Sequence, residues 1–199
     1  MIQGPDTLRV FIALDLPEAA KEALARTIDQ LQKCIAGGVR WVDPGGIHLT
    51  LKFLGNIDAS LENPLFDAMA RAAEGFPSFG IYLEGLGAFP NQRQPRVLWA
   101  GAAGDLEMLS QLQGRVEHEI SPLGFPREQR GFNPHLTLGR VRDRVSAPQR
   151  RQIGDVFARE SLAPSDPWVA KELHLIRTNF RPQGNFYTSM GSVPLTGTD

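Results

Sequence analysis

One tetrapeptide occurs twice in this chain, and each copy closes a stretch of the same length and pattern. The copies are His48-Leu49-Thr50-Leu51 and His135-Leu136-Thr137-Leu138. Before the first lie an apolar strand pattern from Leu8 to Leu14 and then Ala20, Leu24, Ile28, Leu31 and Ile35, spaced three and four apart as on one face of a helix. Before the second lie a strand pattern from Arg96 to Ala100 and a helical stripe of Leu109, Leu112, Val116 and Ile120. From Val10 to His48 is 38 residues, and from Leu98 to His135 is 37. Two strand, helix, strand units of nearly equal length predict a chain folded about an internal pseudo-twofold axis.

The remaining pattern fills out each half. Asp15 is the candidate cap of the first helix, Pro17 lies in its first turn, and Gly37-Gly38 stops it. A helix is expected from Leu61 to Ala73, then a strand through Phe79, Ile81 and Leu83. Asp105 opens the helix of the second unit, and Pro122 and Gly124 end it. A helix from Pro148 to Phe157, a strand from Glu172 to Arg177 and a last strand around Phe186 to Met190 complete the chain. At 199 residues, 42% of them hydrophobic, there is material for one large domain or two small lobes sharing a core. The expectation is a single domain over residues 1–199.

Charge excludes some partners and points to others. Lys plus Arg is 21 against 22 for Asp plus Glu, so the chain as a whole does not coat a polyanion or an anionic membrane. The balance is uneven, however. Residues 1–126 carry 10 basic against 15 acidic side chains, whereas residues 127–151 carry 7 arginines against 2 acids. That window is either a solvated arginine-rich face or a phosphate-attracting rim. The lone Cys34 forms no internal disulfide, and no histidine stands at zinc-ligand spacing from it. Met1 to Asp6 lacks the basic-then-apolar pattern of a secretory signal, and the uncharged stretch Pro182 to Thr198 is a polar tail, so a cytoplasmic setting without membrane attachment is expected.

The chemistry lies in the repeated tetrapeptide. Strand side chains alternate, so His48 and Thr50 share one face while Leu49 and Leu51 face the core, and the second copy repeats this with His135 and Thr137. A pseudo-twofold arrangement brings the two polar faces together across a groove. Two facing histidines titrating near neutrality can divide a proton transfer, one taking a proton and the other giving one. That pair suits displacement at phosphorus, with hydroxyls and arginines holding the non-bridging oxygens. No metal or cofactor is required. The residues themselves leave open which histidine gives the proton.

The segments Arg40-Trp-Val42, His48-Leu-Thr-Leu-Lys-Phe-Leu-Gly55, Pro95-Arg-Val-Leu-Trp99 and Arg130-Gly-Phe-Asn-Pro-His-Leu-Thr-Leu-Gly-Arg140 resemble those of the two-histidine phosphoesterases. Within that superfamily the chain is most similar to the bacterial and archaeal RNA 2',3'-cyclic phosphodiesterases, long called 2'-5' RNA ligases, from about Leu8 to Leu195. The resemblance implies a bilobal α+β fold in which antiparallel sheets with outer helices surround a central cleft. It implies hydrolysis of an RNA 3'-terminal 2',3'-cyclic phosphate to a 2'-phosphomonoester, with 2',5' ligation as a possible reverse reaction. His48 would then protonate the departing 3'-oxygen and His135 would deprotonate water. Thr50, Thr137 and Arg130 would hold the phosphate, and Tyr187, in Gly184-Asn-Phe-Tyr187, is a further cleft candidate.

Other residues have competing assignments. Phe11, Phe132 and Trp41 are candidates for stacking on a base or for the core. Lys52, which follows the first motif on its polar strand face, is a candidate phosphate-attracting side chain or a solvated edge residue. His118 is assigned to the surface of a charged helix and His174 to a strand. RNA ends or small cyclic nucleotides are the expected partners, with no obligate protein partner and a monomer expected, since the cleft lies between the chain's own halves. Two other readings are a non-catalytic nucleotide or RNA-end binding module and a metal site built on the histidines. The first has no need of a matched acid and base, and the second lacks a neighbouring carboxylate or cysteine at either motif.

Overall fold

The computed structural model describes residues 7–181 and 184–197. In the first half come β1 (Thr7–Leu14), α1 (Glu18–Cys34), β2 (Val39–Trp41), β3 (Leu49–Asp58), α2 (Glu62–Ala73) and β4 (Phe79–Phe89). The second half adds β5 (Val97–Gly104), α3 (Leu106–Ile120), β6 (His135–Val141), α4 (Ala147–Phe157), β7 (Trp168–Ala170), β8 (Glu172–Arg181) and β9 (Gly184–Pro194). One antiparallel sheet has the order β3-β1-β8-β9 and the other β2-β6-β5-β4-β7. The architecture is α+β with a pseudo-twofold repeat, as the tetrapeptides imply.

Each half completes the other's sheet. In one sheet the motif strand β3 pairs with β1, which pairs with β8 from the second half. In the other, β6 pairs with β5, which pairs with β4 from the first half. The β4 and β8 strands have therefore each crossed into the sheet of the other half. The short β2 also joins the second sheet, on the outer edge of β6. Val10, Ile12 and Leu14 of β1 and Leu98 and Ala100 of β5 are buried in one continuous apolar cluster with the inward faces of α1, α2 and α3. Burial of these stripes, rather than helix propensity, holds the helices against the sheets.

The strands run further than apolar alternation suggests. The β4 strand continues past Leu83 to Phe89 because its glycines admit a neighbour: a Cβ on Gly87 would collide with the Trp99 indole lying over it from β5. The β9 strand occupies Gly184–Pro194, so most of the stretch read as a polar tail is an edge strand; Pro182, Gln183 and Thr198 lie outside the described residues. The α1 helix begins after Pro17, with no side-chain cap. Asp15 is used elsewhere: its Oδ1 lies 3.0 Å from Lys21 Nζ and 3.8 Å from His48 Nε2. Among the described residues no helix is long and apolar enough to cross a membrane.

Candidate active site

The repeated tetrapeptide carries a structural device that its letters do not announce. In β3, Thr50 pairs with Ala13 and Lys52 with Ile12, so Leu51 is the extra residue of a bulge. In β6, Thr137 pairs with Trp99 and Gly139 with Leu98, so Leu138 is the extra residue of a second bulge. Both irregularities fall on the fourth residue of the motif. A bulge adds one residue to one strand and so inverts the face of everything after it. Both bulged leucines stay buried, while the residues beyond them exchange sides.

That exchange corrects the placement of Lys52 and brings Arg140 to the cleft. Lys52 does not reach the cleft: it is buried on the core side of β3, with its ammonium 2.7 Å from Glu117 Oε2 and 2.6 Å from the Pro126 carbonyl. Phe53 takes the cleft side instead, packing against Phe11 and remaining 68% exposed. In β6 the same inversion puts Arg140 on the side of His135 and Thr137, where alternation would have sent it into the core. Arg130 lies on the exposed loop before β6 and is not among the residues lining the cleft; its amide bonds Glu128 Oε1 at 3.3 Å. That loop is pinned by Glu128, whose amide donates to the buried Glu117.

The cleft has a volume of about 440 Å³ and is lined by His48, Thr50, His135 and Thr137 together. Phe53, Phe89, Arg9, Arg140 and Asn185 also line it, none of which motif reasoning singled out. The signal for Arg140 was present as a basic residue following the second motif, but the bulge hides its face. Neither threonine hydroxyl is engaged in a side-chain hydrogen bond among the described residues, and both are half-buried. The hydroxyls are thus free to donate to a ligand. Arg9 and Arg140 likewise have no carboxylate partner among the described residues.

The two histidines are held alike. His48 Nδ1 lies 2.9 Å from the Gly46 carbonyl oxygen, and His135 Nδ1 lies 2.8 Å from that of Asn133, in each case two residues back. A carbonyl only accepts, so Nδ1 carries the hydrogen in both rings and Nε2 is left as the atom that exchanges protons. Each ring is also braced by aromatic edges. Phe11 and Tyr187 stand at 5.9 and 5.7 Å from His48, and Phe89 meets His135 edge-on at 4.9 Å with Trp99 at 6.3 Å. Phe11 is thus a support beneath His48, buried to 5% exposure, and Tyr187 a partly exposed wall. Phe132 and Trp41 are half-buried and pack against the core.

The environments differ in charge. Burial pushes the pKa of His48 below the ordinary histidine value, against the opposing pull of Asp15 and the Gly46 carbonyl. Asp15 is itself held below the usual carboxylate range: burial works to raise it, but the Lys21 ammonium, the Leu16 amide and His48 together outweigh that. His135 has no carboxylate within ion-pair distance among the described residues. His174 lies 3.9 Å from Glu172 on β8, and His118 is exposed beside Arg127 on α3. No three of His, Cys, Asp and Glu among the described residues come together as metal ligands would.

A sequence model described as LigT-like phosphoesterase matches residues 14–99 and again 104–187, one motif in each stretch. The chain belongs to this family. Among LigT-like relatives, the RNA 2',3'-cyclic phosphodiesterase of Methanothermobacter thermautotrophicus is 32% identical over 184 residues, covering 92% of this chain and 96% of that protein. The enzyme of the same name from Thermotoga maritima is 36% identical over 135 residues, covering 68% of this chain and 71% of its own. In fold, the chain resembles E. coli LigT crystallised with 3'-AMP at a TM-score of 0.74 and 26% identity, covering 96% of this chain and 99% of that one. The TT0787 protein of Thermus thermophilus matches at 0.76 and 26%, covering 96% of this chain and all of the other. As a LigT-like phosphoesterase, the chain is an enzyme of the two-histidine class.

Proposed function

We propose that this LigT-like phosphoesterase hydrolyses an RNA 3'-terminal 2',3'-cyclic phosphate to a 2'-phosphomonoester, using His48 as acid and His135 as base. The observation that carries the reading is the matched pair of Nδ1-to-carbonyl hydrogen bonds, which leaves both Nε2 atoms to exchange protons in one cleft beside two free hydroxyls. In the step, a water oxygen bonds to phosphorus as its proton passes to His135 Nε2. The bond from phosphorus to O3' breaks, and O3' takes the proton from His48 Nε2. The product carries a 2'-phosphate and a free 3'-hydroxyl. Solvent exchange returns each ring to its starting state.

Asp15 supports the division of labour. A carboxylate 3.8 Å from Nε2 stabilises imidazolium, the form a proton donor needs, and of the two cleft histidines only His48 has one among the described residues. Thr50, Thr137 and Arg140 are assigned to the non-bridging oxygens, where hydrogen bonds and charge lower the barrier most. Arg140, rather than Arg130, takes the cationic role because it lines the cleft. The exposed Phe53 offers a face to a terminal base.

The test is incubation of the protein, with and without EDTA, with an oligoribonucleotide ending in 2',3'-cyclic phosphate, followed by determination of the phosphate position. A 2'-phosphate product unaffected by EDTA is expected. His48→Ala and His135→Ala should each lower kcat by roughly 10²- to 10⁴-fold. A 3'-phosphate product, or full activity in either variant, would refute the assignment.

A further inference from the structure

A second concavity, larger than the cleft, lies outside it. A groove of about 850 Å³ lies between α4 and the turn joining β4 to β5. Arg93 and Gln94 of the turn form one wall, and Arg150 and Arg151 of α4, with Arg159 just beyond it, form the other. One carboxylate, Asp155, stands among these four arginines. None of the four makes an ion pair among the described residues, whereas Arg26 and Arg71 elsewhere on the surface do. The Arg150 guanidinium donates to the carbonyls of Pro95 and Arg142 at 2.7 and 3.2 Å, which fixes the wall without neutralising its charge.

The groove adjoins the cleft. Phe89 and Val97, which line the cleft, are the two ends of the segment whose middle supplies Arg93 and Gln94. From Val97 to Arg93 is four residues, so the two sites are at most about 14 Å apart along this segment. At the roughly 3.4 Å axial rise per nucleotide of one stacked strand, that upper bound corresponds to no more than about four nucleotides. The groove is also held rigidly to its neighbour: Gly154 of α4 packs so closely on the Gln92 carbonyl that a Cβ would collide with it. Unpaired guanidinium groups on both walls of a fixed groove suit successive phosphates of a polyanion, since guanidinium matches phosphate geometry.

We propose that this groove binds the RNA strand 5' of the terminal nucleotide, engaging phosphodiesters within about four nucleotides of the cyclic end. The proposal rests on the reading that the cleft takes an RNA end. It explains why a chain of net charge −1 concentrates unpaired arginine on the face beyond its second motif. It also predicts that substrate length matters through binding, while the chemistry at the end is the same for short and long RNA.

The test uses a 5'-labelled, 12-nucleotide single-stranded RNA ending in a 2'-phosphate, with binding read by fluorescence anisotropy across a salt series. Turnover of a 2',3'-cyclic mononucleotide is measured in parallel. Arg151→Glu combined with Arg159→Glu should weaken binding of the 12-mer by about 10-fold or more and reduce the salt slope by about 1.4, as loss of two phosphate contacts requires. Mononucleotide turnover should be unchanged. Arg93→Glu, on the opposite wall, should act in the same direction and covers any folding defect in the α4 variant. Equal affinity in wild type and both variants would overturn the groove assignment. Competition by poly-glutamate as strong as by RNA of equal charge would overturn it in favour of an acidic protein partner. Failure of the wild type to turn over the mononucleotide would instead refute the cleft reading, leaving the anisotropy result to decide the groove.

Discussion

Lys52 Nζ and Glu117 Oε2 stand 2.7 Å apart in the interior, each side chain only 8% exposed, and join β3 to α3 and to the loop before the second motif. Glu117 also accepts from the Glu128 amide at 3.1 Å, and Lys52 also donates to the Pro126 carbonyl at 2.6 Å. The pair therefore ties the strand carrying one histidine to the loop leading to the other. Removing one partner strands a buried charge, at a typical cost of about 3–5 kcal/mol. Lys52→Met should lower unfolding free energy by about that much in chemical denaturation. Lys52→Met with Glu117→Leu should recover a substantial part of the loss, because no unpaired charge remains. A single-variant loss under about 1 kcal/mol would contradict the account.

The legible and illegible parts of the sequence divide along this same strand. The repeat was legible because a helix stripe and an apolar strand each leave a period, and because the tetrapeptides recur 37 to 38 residues after matching strands. The crossing of β4 and β8 into opposite sheets was not, since period says which face is buried and nothing about which strand it pairs with. The bulges at Leu51 and Leu138 were hidden for a different reason. Leucine there satisfies alternation perfectly well, and only the register against Ile12 and Leu98 reveals the extra residue. Alternation therefore places Lys52 on the wrong face and gives no sign that Arg140 reaches the cleft.

Arg140 and Arg130 separate the two placements by experiment. If the cationic phosphate ligand is the arginine brought into the cleft by the second bulge, Arg140→Ala should reduce kcat/KM on a cyclic mononucleotide by about 10²-fold, the scale of losing a donor to developing charge. Arg130→Ala should stay within about twofold. The reverse order would return the phosphate role to the loop. Steady-state kinetics on a cyclic mononucleotide suffice, since that substrate does not reach the arginine groove.

The pH dependence follows from the environment of His48. The proposed mechanism needs His48 protonated, and burial holds its pKa below the ordinary value of about 6.5. One limb of the kcat/KM profile, set by the proton on His48, should therefore lie on the acid side of 6.5. Asp15 opposes the effect of burial by stabilising imidazolium, so Asp15→Asn should move the limb further toward acid. A profile that leaves the limb in place in this variant would show that Asp15 does not act on the proton donor. The shift, rather than loss of rate alone, marks a positioning role that works through His48.

Gly46 serves His48 twice. Its carbonyl accepts the Nδ1 hydrogen at 2.9 Å, and its missing side chain lets the Tyr187 ring close over the same histidine. A Cβ at Gly46 would stand 2.7 Å from Tyr187 Cδ2, nearer than any real contact, so the ring would have to move. Gly46→Ala should displace Tyr187 from its 5.7 Å edge contact and loosen the hydrogen bond that orients Nε2. Misplacement of a catalytic group by about 1 Å costs up to about 10²-fold, so kcat should fall by roughly 10- to 100-fold. Tyr187→Ala separates the two contributions. It removes the wall but leaves the carbonyl in place, so its loss should be smaller, and adding it to Gly46→Ala should restore part of the activity by relieving the collision. A double variant no better than Gly46→Ala alone would show that the carbonyl geometry, and not the ring, is what glycine protects.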